Sequence, residues 1–129
     1  MTVAVLLIDS DLAFIFWLGQ ALDAAGYSAV PAKNIRAASE VVEEFKLTTE
    51  LLIIDPSTPG AVSLVLSLRE KEPGLKTIAA ISPGSQESYA AVFDVVKVKA
   101  EHLSAHERFS WIALVQSMVQ PNRASGASS

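Results

Sequence analysis

Short apolar runs alternate along this chain with longer segments in which apolar residues recur every three or four positions. Runs of the first kind are typical of buried strands and segments of the second kind of amphipathic helices. Their alternation predicts βαβ units around a parallel sheet that is buried on both faces. The predicted strands span residues 3–8, 27–30, 50–54, 77–81 and 92–98, and the predicted helices span residues 11–25, 35–46, 61–71 and 105–120.

The last predicted helix carries two apolar stripes, although one stripe is enough to face a core. The two stripes are Phe109, Ile112 and Val119 on one side, and Trp111, Leu114, Val115 and Met118 on the other. Trp111 and Met118 are predicted to lie off the core stripe of this helix, and Phe16 and Trp17 off that of the first helix. Two interpretations stay open: these side chains dock a partner, including a second copy in a homodimer, or the first and last helices pack against each other.

The composition describes one small domain. With 129 residues, 50% hydrophobic and 19% charged, the chain is long enough for one core and too short for two ordinary domains. We expect the domain to span residues 1–120, and the small-residue segment "PNRASGASS" at 121–129 to be a disordered tail or a linker. The chain has no cysteine, which excludes disulfides, thiolate metal sites and a cysteine nucleophile, and makes the reducing cytoplasm the expected compartment.

Charge and hydropathy argue against three further classes. The net charge of −4 and the pI near 5.1 have the wrong sign for a domain that binds nucleic acid with its whole surface. The N-terminal "MTVAVLLIDSDL" has no basic region and resembles a core strand more than a signal peptide. The densest apolar run, "LAFIFWLGQAL", is too short to span a bilayer, so no membrane partner is expected.

Polar side chains follow the predicted strands at their carboxyl ends. These residues are Asp9 and Asp11, Asp55, Ser82 and Lys97. Ligands of open parallel sheets collect beyond this edge, so two carboxylates, a hydroxyl and an ammonium are expected to converge there. A plainer alternative for Asp55 is an Asx-type turn bond in "DPSTPG", and for Asp11 it is the N-cap of the first helix.

Four motifs then appear in order: "LLIDSD", "DPSTPG", "IAAIS" and "VVK", with "LREKEPGLKTIAAIS" running into the third of them. In this respect residues 3 to about 119 resemble a response-regulator receiver domain. The resemblance implies a doubly wound, flavodoxin-like α/β fold. It also implies that Asp55 is the phosphoacceptor, that Ser82 and Lys97 contact the phosphoryl group, and that Asp9, Asp55 and the backbone carbonyl of Ser57 hold Mg²⁺.

The function implied by the resemblance is that of a two-component signalling module. Its partners would be a histidine kinase or phosphotransfer protein and an output domain or partner protein. The only chemistry expected of it is phosphorylation of Asp55 from a phosphodonor. Carboxylates suit the hard Mg²⁺ ion, which neutralises charge on a transferred phosphoryl group.

Several residues depart from the family pattern at the site. Ser10 stands where the second acidic residue is expected, which weakens Mg²⁺ binding. Pro56 and Pro83 follow the phosphoacceptor and the switch hydroxyl, where backbone N–H groups would receive phosphoryl oxygens, and proline has none. Val98 replaces the proline that usually follows the lysine, and Asp94 stands at the aromatic switch position.

The segment before the lysine is also unusual. Ser82 and Lys97 are only 15 residues apart, about two helical turns less than receivers allow for their fourth helix. A shortened fourth helix of one or two turns is expected. Because receivers commonly use this helix for output, the partner surface would differ too.

Two alternative functions remain. The chain could be a pseudo-receiver that acts only as a protein-interaction domain. A haloacid-dehalogenase-like phosphatase is suggested by "LLIDSDLAF", with Asp9 as nucleophile, but it leaves Asp55 unexplained and lacks a late acidic pair for Mg²⁺. His102 and His106 lie four residues apart and have no third ligand, so a surface role is expected for both.

Overall fold

The structure is a computed structural model that describes residues 3–85 and 89–121, so the predicted tail lies almost entirely outside the described residues. The described elements alternate between strands and helices, as the hydrophobic pattern predicts. In chain order they are β1 (Val3–Ile8), α1 (Leu12–Ala24), β2 (Ala29–Ala32), α2 (Ile35–Phe45), β3 (Thr48–Ile54), α3 (Ala61–Lys71), β4 (Lys76–Ile81), β5 (Val95–Val98) and α4 (Ala105–Met118).

The five strands form one sheet in the order β2-β1-β3-β4-β5, and all four pairings are parallel. The predicted doubly wound, flavodoxin-like fold is therefore confirmed. Because the strands are parallel, their carboxyl ends meet at one edge of the sheet. This edge is where the candidate side chains were expected.

Each face of the sheet has its own helices and its own core. The first face packs against α1 and α4, and its strand residues include Val5, Leu7, Leu51, Ile53, Ile78 and Ala80. The second face packs against α2 and α3, and its strand residues include Leu6, Ile8, Leu52, Ile54, Ala79 and Ile81. Burial on both faces explains why the strands are continuous apolar runs without alternation.

One of the two apolar stripes of α4 packs in the core of the protein. Trp111 and Val115 are fully buried, and the Trp111 ring meets the Phe14 ring of α1 edge-on at 5.4 Å. Placing Trp111 off the core stripe was therefore wrong. Phe109 on the other side is 70% exposed.

The connection between β4 and β5 contains no helix in its described parts, residues 82–85 and 89–94, where the chain forms turns. The N–H groups of Val92 and Phe93 donate to the carbonyl of Tyr89 at 3.0 and 3.1 Å, which gives a single turn. This turn is what the described residues retain of the predicted short fourth helix, and it places Phe93 in the core of the second face.

The short connection leaves part of the second face uncovered. Val96 pairs with Ala79, and Val98 pairs with Ile81, so both valines project from the second face. Val96 is 37% exposed and Val98 is 51% exposed, whereas Ala79 and Ile81 are buried. The second face is therefore complete over β4 and open over β5.

Among the described helices, none has both the length and the apolar character needed to cross a bilayer.

Candidate functional site

Asp9 follows the last residue of β1 and is 2% exposed. Its Oδ1 accepts the N–H of Asp11 at 2.9 Å, and its Oδ2 accepts a hydrogen bond from Nζ of Lys99 at 2.7 Å. Asp11 itself caps α1 by accepting the N–H of Phe14 at 3.2 Å, as predicted. Both oxygens of the buried Asp9 carboxylate are thus engaged by the protein.

Asp55 follows β3 and is held in register by its own N–H, which donates to the carbonyl of Ile8 at 3.0 Å. Its Oδ1 accepts both the N–H of Ser57 at 2.9 Å and the hydroxyl of Ser57 at 2.7 Å. The N–H bond is the Asx-type turn bond that the sequence offered as the plainer role. Oδ2 of Asp55 lies 3.9 Å from Nζ of Lys99.

The lysine between the two carboxylates is Lys99. The sequence motif "VVK" predicts Lys97 at this position, but Nζ of Lys97 donates to the Ser110 hydroxyl at 2.9 Å and lies 5.2 Å from the centre of the Trp111 ring. The structure brings Asp9 and Asp55 together and leaves Lys97 outside their cluster.

The physical reason is the register of β5. Lys97 pairs with Ala80 inside the strand, so its side chain leaves the first face beside α4. Lys99 lies one residue beyond the strand end, where its N–H still donates to the carbonyl of Ile81 at 2.8 Å. Asp9 and Asp55 were selected because each directly follows the last residue of a strand. Lys99 meets the same criterion once the end of β5 at Val98 is known.

Asp94 has a structural role at the opposite end of the sheet. Its Oδ2 accepts the N–H of Thr77 at 2.8 Å and the hydroxyl of Thr77 at 3.0 Å, and Nη2 of Arg69 lies 3.7 Å from the same oxygen. Arg69 also donates to the Thr77 hydroxyl at 3.1 Å. These three residues form a polar cluster that fixes the start of β5 against β4 and α3.

Two cavities open beside Asp55. The larger, of about 420 Å³, is lined by Ser10, Leu12, Lys33, Asn34, Asp55 and Ser57, among others. The smaller, of about 90 Å³, lies between Asp55, Pro56, Ser57 and Ser82. Ser57 and Ser82 therefore border these cavities, while Ser10 contributes an exposed hydroxyl where the family pattern has a carboxylate.

The donors that would receive a phosphoryl group are few. Pro56 and Pro83 have no N–H, and the N–H of Ser57 is directed at the Asp55 carboxylate itself. The N–H of Ser85 donates to the carbonyl of Ser82 at 3.2 Å. Nζ of Lys99 lies 3.9 Å from the Asp55 carboxylate, and Lys33 lines the larger cavity beside it.

The donors present do not fit a Mg²⁺ ion as they stand. Mg²⁺ requires near-octahedral oxygen ligands, usually one or two carboxylates together with several waters, and the carboxylate oxygens must be free to face the ion. Here Asp9 directs one oxygen at an N–H and the other at an ammonium, and Asp55 shares that ammonium. Across residues 3–85 and 89–121, no group of three or more histidine, cysteine, aspartate or glutamate side chains is arranged to hold a metal.

Neither a protein-family model nor a curated protein matches the chain. Solved structures do match. A CheY-like response-regulator receiver domain protein from Methanospirillum hungatei JF-1 is 20% identical, with a TM-score of 0.70 over 91% of this chain and 93% of that one. A response regulator from Thermotoga maritima is 18% identical, with a TM-score of 0.69 over 92% and 98%.

A third match is the response regulator TrrA from Thermotoga maritima in complex with Mg²⁺–BeF, which is 20% identical, with a TM-score of 0.67 over 92% of this chain and all of that one. The resemblance to receiver domains is therefore confirmed, and at these identities it is a likeness of fold. The Mg²⁺–BeF complex belongs to TrrA.

Proposed function

We propose that this chain is a receiver-type signalling module that works by binding a protein partner, with an Asp55 site that does not carry out Mg²⁺-dependent phosphoryl transfer. The observation that carries the proposal is the contact of 2.7 Å between Lys99 and the buried Asp9. It engages the carboxylate that would hold the metal. The proposal assigns no turnover of a substrate to the chain.

Two further features support it. A phosphoryl group on Asp55 would lack the backbone donors that Pro56 and Pro83 remove, and preorganised donors of this kind are worth roughly 3 kcal/mol each in a well-studied oxyanion hole. The segment between β4 and β5, which would carry a response from the site to a partner, forms turns and no helix in its described residues. Partner binding is therefore expected to be independent of the state of Asp55.

A second candidate is a working phosphoacceptor served by a histidine kinase or phosphotransfer protein. The observation in its favour is that Asp55 borders both cavities, so its carboxylate is within reach of a phosphodonor. The phosphatase alternative is disfavoured because Asp9 is 2% exposed and both its oxygens accept hydrogen bonds, so it is poorly placed to attack a substrate.

The test compares the wild-type chain with Asp55→Asn. Each is treated with Mg²⁺ and beryllofluoride, and separately with acetyl phosphate, while amide chemical shifts and intact mass are recorded. We expect no saturable shifts at the site and no phosphoryl adduct in either protein. A saturable response or a phosphoryl adduct confined to the wild type would overturn the proposal in favour of the phosphoacceptor.

A genetic arm separates signalling from phosphorylation. Asp55→Asn at the native locus is expected to retain the function that deletion of the gene removes. The matched control is Ser57→Ala, which removes the hydroxyl bond to Asp55 and leaves the carboxylate in place. If Asp55→Asn reproduced the deletion phenotype while Ser57→Ala did not, the Asp55 carboxylate would be required.

A further inference from the structure

We propose that the ammonium of Lys99 is the resident cation of this site, holding Asp9 and Asp55 in place of a divalent ion. As long as Ser10 supplies no third carboxylate, divalent cations bind there only after the Lys99 charge is removed. The inference deepens the proposed function and rests on it in one respect, that the site is not used for Mg²⁺-dependent transfer. It assigns the Asp9–Asp55–Lys99 cluster a structural purpose of its own.

Burial makes the pair between Asp9 and Lys99 different from a surface ion pair. The side chain of Asp9 is 2% exposed and that of Lys99 is 10% exposed. A buried carboxylate is strongly unfavourable unless a countercharge and hydrogen bonds replace its water. Lys99 provides the countercharge at 2.7 Å, and the N–H of Asp11 occupies the other oxygen.

The ammonium is also placed to serve Asp55. Its Nζ lies 3.9 Å from Oδ2 of Asp55 and 5.3 Å from the centre of the Phe14 ring. A lysine has three N–H donors, which is enough to face two carboxylates from one position. The aromatic ring attracts the same cation on a further side. Lys99 is thus enclosed by two anions and a ring, much as a bound ion would be.

The count of charges explains why a monovalent cation is sufficient. Two carboxylates and one ammonium leave one net negative charge in the cluster. A third carboxylate in place of Ser10 would leave two, and it would favour a divalent ion. Removal of Lys99 would likewise leave two uncompensated carboxylates at the edge of the sheet, which is an arrangement that attracts a hard divalent cation.

The primary experiment needs no mutation. The full chain is titrated with MnCl₂ into the millimolar range at constant ionic strength, and paramagnetic broadening of the amide signals of residues 9–11 and 55–57 is followed. We expect no saturable, site-selective broadening, and no rise in the thermal midpoint with MgCl₂. Saturable broadening confined to these residues in the wild type would overturn the inference.

Lys99→Met and the control Lys97→Met then remove one lysine each from neighbouring positions. Lys99→Met is expected to lower the thermal midpoint by several degrees, to recover part of that loss with MgCl₂, and to show saturable Mn²⁺ broadening at residues 9–11 and 55–57. Lys97→Met is expected to show no response to either metal. A folded Lys99→Met protein that ignores both metals would contradict the proposal.

A double variant guards against failure of the single variant to fold. Asp9→Asn with Lys99→Met removes both buried charges, so it is expected to fold and to bind neither metal.

Ser10→Asp in the wild-type background keeps Lys99 and adds a third carboxylate, so it is expected to gain Mn²⁺ binding. If it does not, the charge count is wrong. Binding of bare metal by the wild type would defeat this inference alone, whereas a phosphoryl adduct on Asp55 would defeat the proposed function.

Discussion

The two faces of the sheet are closed by different means where they reach β4 and β5. On the first face, Trp111 and Val115 of α4 pack directly against the strands and are fully buried. On the second face, Phe93 from the short connection packs in the core. The polar cluster of Arg69, Thr77 and Asp94 closes the end of the sheet at which β4 and β5 begin. No described helix lies over β5 on this face.

The difference shows how a doubly wound domain tolerates a shortened connection. A helix contributes apolar cover along a whole strand, whereas one aromatic side chain and a hydrogen-bonded cluster secure only the point where the connecting chain joins β5, beside the start of β4. The uncovered part is confined to Val96 and Val98 on an edge strand. The stability of the first face should therefore depend on packing volume, and that of the second face on a few directed bonds.

The largest effect is expected on the first face. Trp111→Ala should lower the free energy of unfolding by about 3–5 kcal/mol, because it removes a fully buried indole and its edge contact with Phe14. Phe109→Ala, on the exposed side of the same helix, should stay within about 0.5 kcal/mol of the wild type. Urea unfolding of both variants checks this, and equal effects would show that α4 is not oriented as described.

On the second face, Asp94→Ala should lower the free energy of unfolding by about 1–3 kcal/mol, because it leaves the N–H of the fully buried Thr77 without its acceptor. Asp94→Asn should cost less, since its amide oxygen can still accept that bond. Glu70→Ala, an exposed acidic residue on the neighbouring helix α3, is the control and should be close to neutral in the same assay. A neutral Asp94→Ala would mean that the cluster does not hold β5.

The third prediction concerns the hydrogen bond between Tyr27 and Val119 on the first face, and how its contribution to the free energy of unfolding depends on pH. The phenol of Tyr27 donates to the carbonyl of Val119 at 2.8 Å, and burial, with a smaller contribution from the Glu50 charge, raises the pKa of Tyr27 above its usual value. Tyr27→Phe should therefore lower the free energy of unfolding by about 1 kcal/mol at neutral pH.

The sign of the pH dependence follows from the raised pKa. The Tyr27 contribution is fully present below the unfolded-state pKa of about 10 and is lost as pH rises through the higher folded-state pKa. The difference between wild type and Tyr27→Phe should be constant up to that region and shrink above it. Urea titrations at several alkaline pH values measure it, and a difference that widened with pH would reverse the assigned shift.

The smallest effect is expected where the second face is open. Val98→Thr should change the free energy of unfolding by less than about 0.5 kcal/mol, because half of this side chain is already in water. The same substitution at Val65, which is buried in α3 on the same face, should cost about 1–3 kcal/mol by burying a hydroxyl. Similar costs at both positions would mean that β5 is covered in solution.

The order of elements could be read from the sequence because burial on both faces makes each strand a distinct apolar run. The prediction of α3 agrees with the structure at both ends, and Asp11 caps α1 as expected. The start of β5 was predicted at residue 92, three residues before its observed start at Val95, because Val92 and Phe93 extend the apolar run. These two residues are apolar because they pack on the second face from the turn that precedes the strand.

The lysine of the site was missed for the same kind of reason. Lys97 and Lys99 project from the same side of an extended chain, so periodicity does not distinguish them. The distinction depends on where β5 ends relative to β4, and this register is a long-range property that no local pattern contains. Likewise, Trp111 was placed off the core because the two stripes of α4 are similar in hydrophobicity, and contact with Phe14 of α1 decides between them.

The two edges of the sheet differ in whether another strand can be added. The N–H groups of Val5 and Asp9 donate to the carbonyls of Ser28 and Ala32, so the alternate residues Ala29 and Pro31 face outward from β2. Asp23 accepts the N–H of Ala29 at 3.2 Å, and Pro31 has no N–H, so this edge offers an incoming chain no free donor.

At β5, the N–H of Lys99 is directed toward β4, and so the backbone of Val96 and Val98 faces outward, with no capping side chain among the described residues. An unblocked edge with apolar side chains is a template for strand addition. Addition of further strands to this sheet, whether by aggregation or by domain swapping, is therefore expected at the β5 edge and is disfavoured at the β2 edge.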